Sequence, residues 1–281
     1  MATIGIGIPF YNAEKYLDFA IRSVINQSFT DWVLYLVDDG STDNSLRIAQ
    51  KYIGDKRIKV FSDAQNRGLV YRLNQITSLL DTRYLVRMDA DDIMHPERLK
   101  VQLEFLEKNT KIDVVGSWAY SIDVDNRIHG LLKNSIIPRS LKEVIGHLCF
   151  IHPSVMGKRS WFVNNPYSDL YPRLEDMELW CRTIDFSSFM NIPQPLLFYR
   201  EVGMPYLSKY LKSMKGERFL ISKKIHTADK IWLIFRNYVK CVAYTLLSAF
   251  RIQDVLIKRR SFNIMEKEQK TATEVLLSAI K

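Results

Sequence analysis

The sequence predicts an α/β protein, a mostly parallel central sheet flanked by helices, followed by a helical C-terminal appendage. Three observations carry this. Over the first hundred residues, short apolar runs alternate with amphipathic segments, as successive βαβ units require. Each apolar run ends in polar residues, where open parallel sheets place their ligands. The charge also divides the chain. The formal net charge is +9, yet residues 1–200 hold 24 basic and 24 acidic residues, while 201–281 hold 16 and 7.

The elements follow in order. Ile4 to Ile8 is apolar, β-branched and stopped by Pro9, a buried strand. Asn12-Ala13-Glu14 opens a helix whose Leu17, Ala20, Ile21, Val24 and Ile25 share one face. Trp32 to Val37 is a second buried strand ending in Asp38-Asp39-Gly40-Ser41, and Thr42-Asp43 opens a helix through Leu46, Ile48 and Ala49. Ile58 to Phe61 makes a third strand, Leu69 to Leu80 a helix and Tyr84 to Met88 a fourth strand. Asp89-Ala90-Asp91-Asp92 follows at once, and His95-Pro96-Glu97 starts a helix to about Leu106. Near the C-terminus, Ile231 to Phe250 is apolar but interrupted. At 100° per residue, Arg236, Lys240, Ser248, Arg251 and Lys258 share a face opposite Ile231, Phe235, Val239, Val242, Leu246 and Phe250. That pattern suits a helix lying in a membrane interface through 226–262, with Lys258-Arg259-Arg260 attracting anionic headgroups. A helix packed on the body or in a homodimer interface presents the same pattern.

Composition excludes several classes. In 281 residues, 47% hydrophobic and 25% charged content rules out disorder. No run of about 18 apolar residues predicts a transmembrane helix, and the N-terminus lacks the basic start of a cleaved signal. Three scattered cysteines are neither a disulfide framework nor a zinc site, and they suit a reducing cytoplasm. A neutral body and a basic tail without a recognition motif argue against nucleic acid as partner. Gly5-Ile6-Gly7 lacks the third glycine of a dinucleotide fingerprint.

The chemistry concentrates in acids. Asp89, Asp91 and Asp92 at a strand end repel one another, and a hard divalent cation, Mn2+ or Mg2+, is the usual remedy beside a diphosphate. A solvated acidic turn that caps a helix is the plainer alternative. Asp38 and Asp39 close a neighbouring strand, where a carboxylate can accept from a base imide or a ribose hydroxyl. Glu175, Asp176 and Glu178 sit in an apolar frame that can raise a carboxyl pKa toward that of a general base. Acids favoured by a helix start are the alternative there.

In order and spacing these pieces resemble glycosyltransferase family 2. The matching stretches are Ile8-Pro9-Phe10-Tyr11-Asn12, Ser23-Val24-Ile25-Asn26-Gln27-Ser28-Phe29, Val37-Asp38-Asp39-Gly40-Ser41-Thr42-Asp43, Asn66-Arg67-Gly68, Met88-Asp89-Ala90-Asp91-Asp92 with Pro96-Glu97-Arg98-Leu99, His152-Pro153-Ser154-Val155-Met156 and Leu174-Glu175-Asp176-Met177-Glu178-Leu179-Trp180. The resemblance covers about 3–200. It implies a GT-A fold, Rossmann-like, with a catalytic domain over 1–204 (nucleotide-sugar half about 1–100, acceptor half about 101–204) and a basic appendage over 205–281. It implies that Asp39 reads the base, with Pro9, Tyr11, Asn12 and Arg67 in the same donor pocket. Asp89 and Asp91 match the DxD metal ligands, Asp92 assists, and Asp176 matches the general base of inverting members. The processive members' Gln-x-x-Arg-Trp motif is absent, so one sugar per encounter is expected. The implied activity is transfer from a nucleotide-sugar donor, UDP-linked as the commoner family choice. The acceptor is a glycan or lipid-linked hydroxyl, at the cytoplasmic face of a membrane during bacterial-type surface polysaccharide assembly. A silent nucleotide-sugar or glycan-binding protein at a membrane surface is the alternative.

Overall fold

The computed structural model describes residues 2–134, 137–147, 149–171, 173–202, 207–225, 229–249 and 261–281. Phe250, Arg251, Lys258 and the Lys258-Arg259-Arg260 cluster lie outside them. The N-terminal half alternates as its periodicity requires. β1 (Ile4–Phe10), β2 (Trp32–Asp38), β3 (Ile58–Ser62) and β4 (Tyr84–Arg87) are joined by α1 (Leu17–Ile25), α2 (Ser45–Gln50) and α3 (Leu69–Leu79). β1 is central and parallel to both β2 and β4, and β2 is parallel to β3. Every residue of β1 is buried, because helices cover both faces of this part of the sheet. Pro9 is tolerated in so central a strand because the β1–β4 ladder stops at Gly7, so no ladder bond on that side needs its missing N–H. A methyl group added at Gly7 would run into Ile76 of α3, so this glycine sets how closely the helix rides on the strand.

Two helix starts lie later than the residue types alone predict. α1 begins at Leu17 rather than near Asn12, and α2 at Ser45 rather than Thr42. Between them the polar side chains tie the two connections together. Asn12 Oδ1 accepts from the Thr42 N–H at 2.8 Å, and the Asp43 carboxylate accepts from the N–H groups of Ser45 and Glu14.

After β5 (Ile93–Met94) and α4 (Arg98–Lys108) the sheet turns mixed. β6 (Val114–Asp123), β7 (Ile128–Leu132), β8 (Met156–Lys158) and β9 (Phe189–Val202) extend it to the order β3-β2-β1-β4-β8-β6-β9-β5, with β7 on β6. The longest ladders, β1–β2 and β6–β9, are parallel. α5 (Leu141–Gly146), α6 (Arg159–Asn164) and α7 (Glu175–Thr183) pack on this half.

The C-terminal stretch does two different things. α8 (Leu207–Lys224) and α9 (Asp229–Ala249) form a helical pair whose Leu220, Ile221, Ile225 and Leu233 share a core cluster with Phe150, Trp161 and Trp180. α10 (Glu266–Ala279) returns to the sheet. Phe262 exchanges two backbone hydrogen bonds with Leu131 of β7, and Ala272, Leu276 and Ala279 pack against Ile93, Ile122 and Phe198. No described helix is long and apolar enough to cross a membrane.

Candidate active site

The carboxyl ends of β1, β2 and β4 meet on one edge, as the parallel register dictates: Phe10 lies opposite Asp38 and Gly7 opposite Arg87. Asp38 is a structural clamp, accepting from Ser41 N–H at 3.0 Å and the Ser62 hydroxyl at 2.8 Å. Asp39 is buried, and its own N–H donates to Phe10 O. Its carboxylate accepts from the N–H groups of Arg67 and Gly68 and from Arg72 Nε at 2.9 Å. Arg72, 1% exposed, also donates to Asp63, Gln65 O and Gln75. One buried guanidinium therefore binds the end of β2 to the 63–68 loop. It also holds the Asp63 carboxyl well below its usual range. The motif reading did not include Arg72. An arginine one helical turn before Ile76 on the apolar side of α3 was the signal for it.

Asp89, Asp91 and Asp92 place carboxylate oxygens within 4.8 Å of one another. Asp92 is buried, with Oδ1 accepting from Arg200 N–H at 2.9 Å and Oδ2 without a partner among the described residues. Burial, then Asp91 and Asp89, push its pKa well above the ordinary range. Three arginines underlie these acids, of which the matching stretches contain only Arg98, with no role assigned to it. Arg87 Nη2 lies 2.6 Å from Asp89, while its buried Nε and Nη1 have no hydrogen-bond partner among the described residues. Arg98 donates to Arg87 O and Val155 O, and burial lowers its pKa to about 9. Arg200 Nε donates to Asp91 O at 2.8 Å, and its Nη2 donates to Asn126, stapling the acidic loop to the β6–β7 turn. Crowded hard oxygens, one of them buried and orphaned, fit a divalent cation such as Mg2+ or Mn2+.

Beside this cluster lies a cavity of about 1010 Å3. Arg67, Arg87, Asp89, Glu175 and Asp176 line it. Glu175 and Asp176 occupy the first turn of α7, where the helix N-terminus favours negative charge. Burial and the neighbouring Asp176 push Glu175 up to about 7. Burial also raises Asp176, opposed by its 2.8 Å hydrogen bond from Met177 N–H and by Arg87. His152 is not a free base: its Nε2 lies 2.9 Å from the Tyr167 hydroxyl, and burial drives its pKa well down. Trp180 is core, stacked on Trp161 and edge-on to Phe150.

The site residues expected from sequence are thus distributed unevenly. Arg67, Asp89 and Asp176 share the cavity. Asp39 sits behind its wall, holding Arg67 and Gly68. Asp91 and Asp92 complete the acidic cluster. Pro9 is buried in β1, Tyr11 is 50% exposed at that strand's end, and Asn12, at φ 49°, is tied to Thr42. Further lining comes from Leu132, Val144 and His147, from Pro166, Tyr167 and Asp169 and, unanticipated, from Tyr210, Ser213 and Met214 of α8.

Comparison with known proteins agrees with this geometry. Residues 5–163 match the model of Glycosyl transferase family 2. The putative glycosyltransferase EpsE of Bacillus subtilis is 33% identical over 208 residues, covering 70% of this chain and 73% of that one. The bifunctional glycosyltransferase pgtA of Dictyostelium discoideum is 31% identical over 266 residues, covering 75% of this chain, which spans only 34% of that protein's length. Among solved structures, S. aureus TarS 1–349 in complex with UDP-GlcNAc superposes with a TM-score of 0.61 at 16% identity, covering 99% of this chain and 82% of that one. The mannosyltransferase PcManGT of Pyrobaculum calidifontis in complex with GDP-Man and Mn2+ gives 0.62 at 12% identity, covering 99% and 86%. With the family match over more than half its length, this chain belongs to glycosyl transferase family 2 and is a glycosyltransferase.

Proposed function

We propose that the protein transfers one sugar per encounter, with inversion, from a UDP-linked donor to a hydroxyl of a glycan or lipid-linked acceptor. The setting is the cytoplasmic face of a membrane, in bacterial-type surface polysaccharide assembly. The observation that carries this is that Asp89 and Asp176 line one and the same cavity. TarS, the fold neighbour bound to UDP-GlcNAc, supports a UDP-linked donor. Asp39, beside the end of β1 with Tyr11 and Asn12, receives the base, and Arg67 lines the way from there into the cavity. Asp89 and Asp91 would hold a divalent cation, with Asp92 behind them, and that ion supplies charge neutralisation for the leaving diphosphate. Asp176 accepts the proton of the acceptor hydroxyl as its oxygen attacks the anomeric carbon from the face opposite the leaving group. Burial raises the basicity of the Asp176 carboxylate, while the Met177 N–H and Arg87 favour its charged form.

Calorimetry with UDP, GDP, dTDP and their common sugar conjugates, each with Mn2+ or with chelator, tests the donor half. One uridine nucleotide is expected to bind, and chelation or Asp91→Asn is expected to weaken it at least about tenfold. Unchanged affinity of Asp91→Asn with Mn2+ present would remove the metal assignment. A response to GDP or dTDP alone would replace the uridine assignment.

A further inference from the structure

α9 is apolar on more than the side that packs on the core. Its inward side buries Leu233 and Tyr244, with one polar residue, Asn237, between them. Asn237 is fully buried, accepts from Arg218 Nη1 at 2.6 Å and donates to Glu217 Oε2 at 3.0 Å, while Arg236 Nη2 lies 3.9 Å from Glu217. Its outward side is apolar as well. Ile231, Trp232, Phe235, Val239, Val242 and Leu246 are each 51–78% exposed. From Trp232 onward they repeat every three and four residues along one flank, a continuous seam rather than scattered surface residues. A single folded chain seldom leaves so long an apolar strip in water unless something covers it.

Charge decides what covers it. After Asp229, α9 carries Lys230, Arg236 and Lys240 and no acid as far as Ala249. α8 exposes Lys212, Lys215 and Lys223 around Phe219. A second copy would bring the same seam with the same bases, and helix pairs of this spacing depend on opposite charges at the flanks. An anionic bilayer offers what a second copy lacks, an apolar interior beneath negative headgroups. α9 is 21 residues long, yet no described helix is apolar enough to cross a membrane, so the helix lies along the surface.

We infer that the outward face of α9, with the lysines of α8, docks the protein on an anionic lipid surface. The docking face is joined to the cavity. Tyr210 of α8 lines the cavity and stacks on Tyr244 of α9 at 4.1 Å between ring centroids. Docking therefore holds the α8 wall of the cavity next to the bilayer, where a lipid-linked acceptor presents its hydroxyl. That consequence rests on the transferase reading above, whereas the docking itself does not.

The test is co-sedimentation of the full chain with phosphatidylcholine vesicles, with and without phosphatidylglycerol, alongside its molar mass in solution. The wild type is expected to pellet only with the anionic vesicles and to be released by high salt. The double variant Phe235→Ser/Val242→Ser and the double variant Lys223→Glu/Lys240→Glu should each lower the bound fraction at least about tenfold. All four positions are exposed, so both variants should keep the wild-type melting temperature and nucleotide binding. A wild type that ignores anionic vesicles overturns the inference. So does a wild-type dimer that Phe235→Ser/Val242→Ser converts to monomer, which would give the seam to a second copy. Vesicle binding that fails while nucleotide binding persists removes the docking and leaves the transferase reading standing. The reverse outcome removes the transferase reading and leaves the docking.

Discussion

Asp176 and Glu175 are neighbours on one helical turn, yet their surroundings assign them different work. Asp176 has a backbone N–H on its carboxylate and Arg87 nearby, both opposing the upward push of its burial, and the proposed function makes it the proton acceptor. Asp176→Asn should leave nucleotide binding unchanged while lowering kcat about 10²- to 10⁴-fold, read by calorimetry and by transfer assay on the same preparation. A variant that turns over near the wild-type rate would deny it the role of base. Glu175 makes a separate, purely thermodynamic prediction. Burial and Asp176 raise it from an ordinary 4.5 to about 7, so between those values the folded protein holds a proton that the unfolded chain has lost. Its folded-state penalty is thus absent in acid, grows as pH rises through that window and is complete above about 7. Glu175→Gln should therefore stabilise the chelated protein by roughly 3 kcal/mol at alkaline pH and leave it unchanged in acid, measured by denaturant melts. The acids were legible from the residues alone. Arg72, Arg87 and Arg200 were not, and Arg98 was legible only as part of a matching stretch, because an arginine in a strand or helix reads as a solvated charge until the fold shows what surrounds it.

At the scale of elements, the βα alternation was legible because hydrophobic period and strand-end chemistry are local properties. Helix starts drifted by a few residues where side chains from one connection satisfy the backbone of another, as Asn12 does for Thr42. β6 and β9 were harder to read. β9 contains Pro193 and Pro195, and the β6–β9 register shifts where Trp118 meets Pro195, so no clean period of two survives. α10 was hidden for another reason. Its few apolar residues find a partner only when the chain returns to β7. Leu276 is fully enclosed among Ile93, Phe198 and their neighbours, so Leu276→Ala should cost about 2–4 kcal/mol by denaturant unfolding. A loss below about 0.5 kcal/mol would mean that α10 is not part of the folded body.

Across the whole molecule, the charge boundary near residue 200 and the packing boundary do not coincide. All of the net +9 lies beyond residue 200, yet that stretch completes two of the core clusters and one wall of the cavity. A chain ending at residue 202 would uncover Phe150, Trp180 and the neighbours that Leu220 and Ile221 shield. It should melt at least about 10 °C below the full chain or fail to stay monomeric, checked by calorimetry and light scattering. Equal melting temperatures would make 1–202 an autonomous domain and the rest a true appendage.

The residues and their order were enough to establish the βα scaffold, the acids at its strand ends and the segregation of charge, since each depends on neighbours within a few positions. Which of those acids share a space, and what lies beneath them, depended on the strand order β4-β8-β6-β9. That order brings Arg200 to Asp92 across 108 residues and Arg98 to Val155 across 57. The tertiary structure also decided which side of α9 faces inward. A helical wheel shows two faces and cannot choose between them. The choice belongs to the partners that α8 and the core supply: Leu233 joins the core cluster, Tyr244 stacks on Tyr210 and Asn237 pairs with Glu217 and Arg218, which leaves the flank of Phe235, Val239 and Val242 outside.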